Sequence, residues 1–232
     1  MNPSLTEIFT DFASLFFPNH CLACNGALVK GEEIVCTSCI SEMPQTDYHL
    51  YRENALKARL AIRIPIVHAV AFFKFAKSSR VQHLLHALKY KNHPEIGVML
   101  GKVYGTRLRD TELSSKFDLI LPVPLHESRK RKRGYNQSSK FAEGLSEKLD
   151  IPYSDSLLTR ARNTQTQTRK TRFNRWQNVS DVFLIKDVNG IKGKRILLVD
   201  DIITTGSTIE ACGQTLINNG CFSLSIACLA EA

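Results

Sequence analysis

The chain has 232 residues, 43% hydrophobic and 23% charged, enough apolar material for one sizeable core and a small additional module. No apolar run reaches the roughly 18 residues of a membrane-spanning helix. The N-terminal stretch carries Glu7 and Asp11 but no Lys or Arg before Lys30, so neither membrane insertion nor a secretory leader is expected, and the cytoplasm is the expected location. Residues 1–64 hold 5 Lys+Arg against 7 Asp+Glu, whereas residues 65–232 hold 26 against 15, so the net +9 belongs to the second part. That part suits an anionic partner: a phosphate, a nucleotide or a nucleic acid.

The first expected element is an amphipathic helix over SLTEIFTDFASLFF (residues 4–17). Ser4 and Glu7 form a capping box, and Leu5, Ile8, Phe12, Leu15 and Phe16 share a face for docking on a core. Two C-x-x-C turns follow, Cys21/Cys24 and Cys36/Cys39, with 11 residues between them. Such knuckles present four thiolates in a tetrahedral shell of about 2.3 Å, which suits structural zinc and leaves no open position for catalysis. Two disulfides or an iron site are the alternatives. The intervening GALVKGEEIV reads as a short hairpin, and His20 as a neighbour or substitute ligand. Cys212, Cys221 and Cys228 have no pairing pattern and read as core residues.

A polar link through residues 48–59 leads to a strand at HAVAFFKF (68–75) and a helix over 78–91. That helix buries Val81, Leu84, Leu85 and Leu88; Arg80, His83, His86, Lys89 and Lys91 read as a solvated basic face. A second helix starts at Pro94. From Phe117 onward, apolar runs alternate with helical patterns: FDLILPVPL, a helix over 136–148, DVFLIKD, KRILLVDD, a helix over 207–219 closed by Gly220, and FSLSIACLA. This alternation predicts an α/β fold, a mostly parallel sheet flanked by helices, with ligands at the carboxyl ends of the strands. The expected division is a helix and cysteine head over 1–64 and an α/β domain over 65–232.

The stretch ILLVDDIITTGST (196–208) concentrates the chemistry. Asp200 and Asp201 end an apolar strand, and Thr204, Thr205, Gly206, Ser207 and Thr208 lead into a helix. Free N–H groups at a helix start, with hydroxyls beside them, cradle a phosphate. Gly206 would let the backbone approach the ligand. The Lys of a nucleoside-triphosphate P-loop is missing. Two carboxylates repel a second phosphate but suit neighbouring hydroxyls or Mg²⁺, so a ribose 5-phosphate has the complementary shape.

This stretch resembles the phosphoribosyl-pyrophosphate (PRPP) signature of type I phosphoribosyltransferases along all 13 positions. More widely, the double C-x-x-C head, LPVPLHESRKRKRGYNQ (121–137), RNTQTQTRKTRFNRWQN (162–178) and the signature resemble the ComF competence-protein family. The resemblance implies that Asp200 and Asp201 are the catalytic and ribose-hydroxyl-binding pair and that Thr204 to Thr208 hold the 5-phosphate. The loop carrying Arg129, Arg131 and Arg133 would face pyrophosphate, as would a mobile loop over 159–175 carrying Arg169, Lys170 and Arg172. Magnesium would accompany PRPP, and zinc would be structural. The family role implies natural transformation, with incoming single-stranded DNA and other DNA-uptake proteins as partners; Tyr135, Phe173 and Trp176 are candidates for stacking on bases. The other expectation is an active phosphoribosyltransferase with a nitrogen acceptor. Oxopurine salvage is disfavoured, because Thr204 stands where those transferases carry a base-binding aspartate.

Overall fold

A computed structural model describes residues 18–160 and 182–232. The helix expected over 4–17 lies outside the described residues, as do Arg169, Lys170, Arg172, Phe173 and Trp176. In chain order the elements are α1 (Thr37–Glu42), α2 (Ala55–Ala61), β1 (Ala69–Lys74), α3 (Arg80–Tyr90), α4 (Glu95–Arg109), β2 (Leu119–Pro122), α5 (Glu127–Arg133), α6 (Gln137–Leu149), β3 (Leu158–Arg160), β4 (Phe183–Ile185), β5 (Arg195–Ile203), α7 (Ser207–Asn218) and β6 (Ser223–Glu231). Among the described residues, no helix is long and apolar enough to cross a membrane.

Four strands form a parallel sheet in the order β1-β6-β5-β2. Both faces are covered, which explains why β5 reads as a continuous apolar run. Leu197 and Val199 face one core with α3, α4 and α6. Ile196 and Leu198 face the other with α2 and α7. Strands β3 and β4 pair separately and antiparallel. The fold is therefore the expected α/β arrangement, with all four carboxyl ends on one edge of the sheet.

Two local expectations change. The polar link contains α2, capped by Asn54 Oδ1 accepting from Lys57 N–H at 2.9 Å; Leu56, Leu60 and Ile64 are buried against α7. Leu56 and Leu60 of α2, with Ile64 just past its end, fall at four-residue spacing among charged neighbours that masked the pattern. The hairpin expected between the cysteine pairs is a loop with one antiparallel bridge, His20–Ala27. Glu32 spends its carboxylate on the N–H groups of Val29 and Thr37, at 3.1 and 2.6 Å, and so ties the loop to the start of α1.

Helices α4 and α6 cross in near-backbone contact. A Cβ placed on Gly144 would lie 2.1 Å from Val98 O, and one on Gly101 would lie 2.4 Å from Phe141 O. These glycines let α6 pack close against α4, and the N-terminal end of α6 reaches the carboxyl end of β5.

Candidate functional site

Strand β5 does not stop before the carboxylates. It continues through Asp200 and Asp201 to Ile203, because β6 keeps pairing with it as far as Glu231. Both carboxylates line one cleft, and each finds its own partner on the helices of the same face. Asp200 Oδ1 accepts from Ser138 Oγ at 3.0 Å and from Asp201 N–H at 2.9 Å. Asp201 Oδ2 pairs with Lys89 Nζ at 2.9 Å. Burial, followed by the neighbouring Asp201 charge, pushes the Asp200 carboxyl up to about 7; the Ser138 hydrogen bond and Lys89 oppose that rise.

The turn after β5 enters α7 through Gly206 at φ +79°, the left-handed region. A Cβ there would approach Leu60 Cδ2 to 2.7 Å. The glycine is thus required by its dihedral and by α2 beneath it, not only by the close ligand approach expected from the sequence. Thr204, Thr205 and Ser207 are exposed, Thr208 is half-buried, and Thr205 Oγ1 stands 3.1 Å from Ser207 Oγ. Asp200 and residues 202–209 line a pocket of about 50 Å³. Gly206 supplies no side-chain cap to α7, so the helix start offers N–H groups and hydroxyls to an anion.

The segment expected as a basic loop after LILPVP is helix α5, ended by Gly134 at φ +80°. Residues four apart share a helix face, whereas residues two apart do not. Arg129 and Arg133 accordingly line the cleft above Asp200 and Asp201, while Arg131 lines a neighbouring groove. Each residue of RGYNQS then has a job. Tyr135 donates its hydroxyl to Leu88 O of α3. Asn136 caps α6 through Ser138 N–H and donates to Val123 O at 2.9 Å. Gln137 accepts from Arg133 at 2.8 Å, and Ser138 holds Asp200. The Tyr135 hydroxyl is thus committed to α3 and its ring is half-buried.

The cleft has a volume of about 210 Å³, and Lys89, Ser138 and Arg160 line it with Asp200, Asp201 and Thr208. Arg160 ends β3 and lies 5.4 Å over the Phe183 ring of β4. Sequence reasoning missed Lys89 as a site residue. It shares a helix with exposed cations, but its side chain is only 18% exposed and is paired. Its signal was the register: Lys89 directly follows buried Leu88, at the edge of the apolar stripe. Ser138 gave no signal of its own beyond following RGYNQ.

The four cysteines form the second candidate centre. Their Sγ atoms all lie within 4.8 Å of one another. Cys21 to Cys39 and Cys24 to Cys36 are each 3.9 Å. A disulfide needs about 2.05 Å, whereas a tetrahedral shell at the ~2.3 Å zinc–sulfur distance puts its corners a little under 4 Å apart. Backbone N–H groups of Ala23, Gly26, Cys36 and Cys39 point at three of the sulfurs, at 3.3–3.4 Å. Burial raises the Cys21 thiol, but the N–H groups of Cys36, Cys24 and Ala23 outweigh it and bring the group down to about 7. The donor set therefore fits a structural zinc ion held by Cys21, Cys24, Cys36 and Cys39. His20 is exposed and bridges Ala27 through its backbone. Cys212 and Cys228 are buried core residues, and Cys221 is half-buried.

The phosphoribosyl transferase domain family matches residues 111–232. "Competence protein F" of Haemophilus influenzae is 29% identical, covering 94% of this chain and 99% of that one. "DNA utilization protein YhgH" of Escherichia coli K12 is 28% identical, with 93% and 98% covered. "Competence protein ComFC" of Bacillus subtilis is 25% identical, with 83% and 82% covered. Similarity over nearly the whole length, head included, joins to a match across the α/β core: the chain belongs to the ComF family of the phosphoribosyltransferase superfamily.

Proposed function

We propose that the cleft binds Mg-PRPP and that the protein serves DNA uptake by handling incoming single-stranded DNA. The supporting observation is the convergence on one end of the sheet. The carboxylates Asp200 and Asp201 would accept from the ribose 2- and 3-hydroxyls. Thr204, Thr205, Gly206, Ser207 and Thr208 would cradle the 5-phosphate. Arg129 and Arg133 stand where a pyrophosphate would extend, and Arg160 lines the same cleft. Magnesium would neutralise pyrophosphate charge. The relatives' names, competence and DNA utilization, support the biological role.

The division of labour between residues 1–64 and 65–232 is part of this proposal, with α2 working on the transferase side because it packs beneath α7. The test is calorimetry with Mg-PRPP on the zinc-loaded chain. Wild type should bind, and the double variant Asp200→Ala, Asp201→Ala should not, while remaining folded by circular dichroism. Equal affinity in the two proteins overturns the site.

A further inference from the structure

Beside the cleft lie two more concavities that the PRPP reading does not use. One, of about 350 Å³, lies between the end of α3 and α5 and is lined by Lys89, Tyr90, Asn92, Arg131, Lys132 and Arg133. The other, of about 650 Å³, lies between α3 and the cysteine loop; Arg80, His83, His86 and Lys91 meet His20 and Cys24 there. The three follow one another along α3. Lys89 and Arg133 belong to both the cleft and the first groove.

Tyr90 stands at the centre of this track and is 60% exposed. Its ring centroid lies 4.9 Å from that of His86, and the Arg133 guanidinium carbon lies 5.1 Å above it. Three flat groups thus meet on a surface rich in cations, the His86 ring tilted 45° to that of Tyr90. Lys91, Arg131 and Lys132 are exposed and enter no ion pair among the described residues. A phosphodiester backbone needs unspent cations, and an unpaired base needs a flat partner. A duplex hides its bases and would leave the exposed Tyr90 ring unused.

We infer that the α3–α5 groove, continuing toward the cysteine loop, is a binding track for single-stranded nucleic acid, with Tyr90 as its stacking residue and Lys91, Arg131 and Lys132 as phosphate contacts. This rests on the reading that the protein handles single-stranded DNA and moves the contact surface from Tyr135 to α3.

The experiment is fluorescence anisotropy of labelled oligo(dT) with the zinc-loaded full chain across a salt series. Tyr90→Ala should raise Kd roughly 5-fold or more, and Tyr90→Phe should restore it. Lys91→Gln with Lys132→Gln should weaken binding and reduce the salt slope by about 1.4, the share of two phosphate contacts on a single strand. The lysine pair does not touch the cleft, so Mg-PRPP affinity in that variant should be unchanged and serves as its test of folding; Tyr90 backs Arg133 of the cleft, so the folding of Tyr90→Ala is checked by circular dichroism and thermal melts instead. Wild-type affinity in both variants overturns the track while leaving DNA handling intact. An absence of oligonucleotide binding by the wild type overturns DNA handling and the track together. Anionic phospholipid vesicles that bind with the same lysine dependence, in the absence of oligonucleotide binding, would reassign the surface to a membrane and overturn the inference.

Discussion

Lys89 Nζ of α3 stands 2.9 Å from Asp201 Oδ2 of β5, and both side chains are largely buried, at 18% and 13% exposed. The pair ties a helix outside the matched transferase region to the centre of the cleft. Two adjacent carboxylates without a counter-charge would repel each other, and Lys89 supplies it. Lys89→Met should therefore destabilise the ligand-free protein by about 1–3 kcal/mol, less than a fully buried broken pair because water still reaches the cleft. Lys89→Arg should recover most of it. Thermal melts at pH 8 would read the loss, and melts at pH 5 should show less of it, because Asp200 is then neutral. An equal loss at both pH values would mean that Lys89 acts only by packing.

Asp200 makes the stability of the cleft depend on pH. Its folded pKa is raised to about 7 by burial and by Asp201, above the ordinary carboxyl value. A carboxyl raised in the folded state binds its proton more tightly there, so its stabilising contribution is complete below about pH 4 and is lost as pH rises through 7. Asp200→Asn keeps an oxygen for Ser138 Oγ and Asp201 N–H but carries no charge. It should be more stable than wild type at pH 8, on the order of 2 kcal/mol, and the difference should vanish near pH 4. Ligand binding should run the other way, since ribose hydroxyls donate best to an ionised carboxylate. Wild-type affinity for Mg-PRPP should rise from pH 6 to pH 8, against the background of the ligand's own phosphate titration. A variant that binds as well as wild type, or gains no stability at high pH, would remove Asp200 from this role.

The sequence made the strands legible because burial on both faces writes a plain apolar run, as in ILLV of β5. It made the PRPP-type turn and the cysteine set legible because each needs particular residue types at fixed spacing. What it hid were relationships between distant elements. Lys89 looks like its exposed neighbours until β5 is placed beside it. Ser138 reads as one more polar residue at a helix start until Asp200 is within 3.0 Å. The close glycines of α4 and α6 stabilise nothing locally and make sense only once the helices cross. The basic run 129–133 looked uniform because a charge run has no visible face until it is wound into a helix.

The cysteine centre carries a prediction that reaches the cleft. Cys21 and Cys39 are each 1% exposed and share a hydrophobic cluster with Val81, Leu84 and Leu85 of α3. The head is thus part of the wall behind the helix that carries Lys89. Freshly purified protein should contain about one zinc per chain, and Cys39→Ser or a strong chelator should lower both metal content and melting temperature. Mg-PRPP affinity should fall along with them, because α3 loses its backing. Atomic absorption with calorimetry on the same samples would check this. Full PRPP affinity in metal-free protein would sever the link between head and cleft.

The arginines of α5 give the most direct test of the site's geometry. Read as a loop, Arg129, Arg131 and Arg133 are equivalent candidates for pyrophosphate. Wound as a helix, Arg129 and Arg133 share the face toward Asp200 and Asp201, and Arg131 turns about 200° away from each. Arg133 is also held in place, by Gln137 at 2.8 Å and by the Tyr90 ring, so less of its freedom is lost when it meets an anion. Single alanine variants should separate the two descriptions. Arg129→Ala and Arg133→Ala should each weaken Mg-PRPP binding by about 10-fold or more, the share of a charge-assisted hydrogen bond. Arg131→Ala should leave that affinity within about 2-fold of wild type and should instead weaken oligonucleotide binding in the neighbouring groove. Equal losses of PRPP affinity in all three variants would mean that the segment meets its ligand as an unwound loop. An Arg133→Ala variant that binds PRPP normally would place the pyrophosphate elsewhere in the cleft, on the side of Arg160.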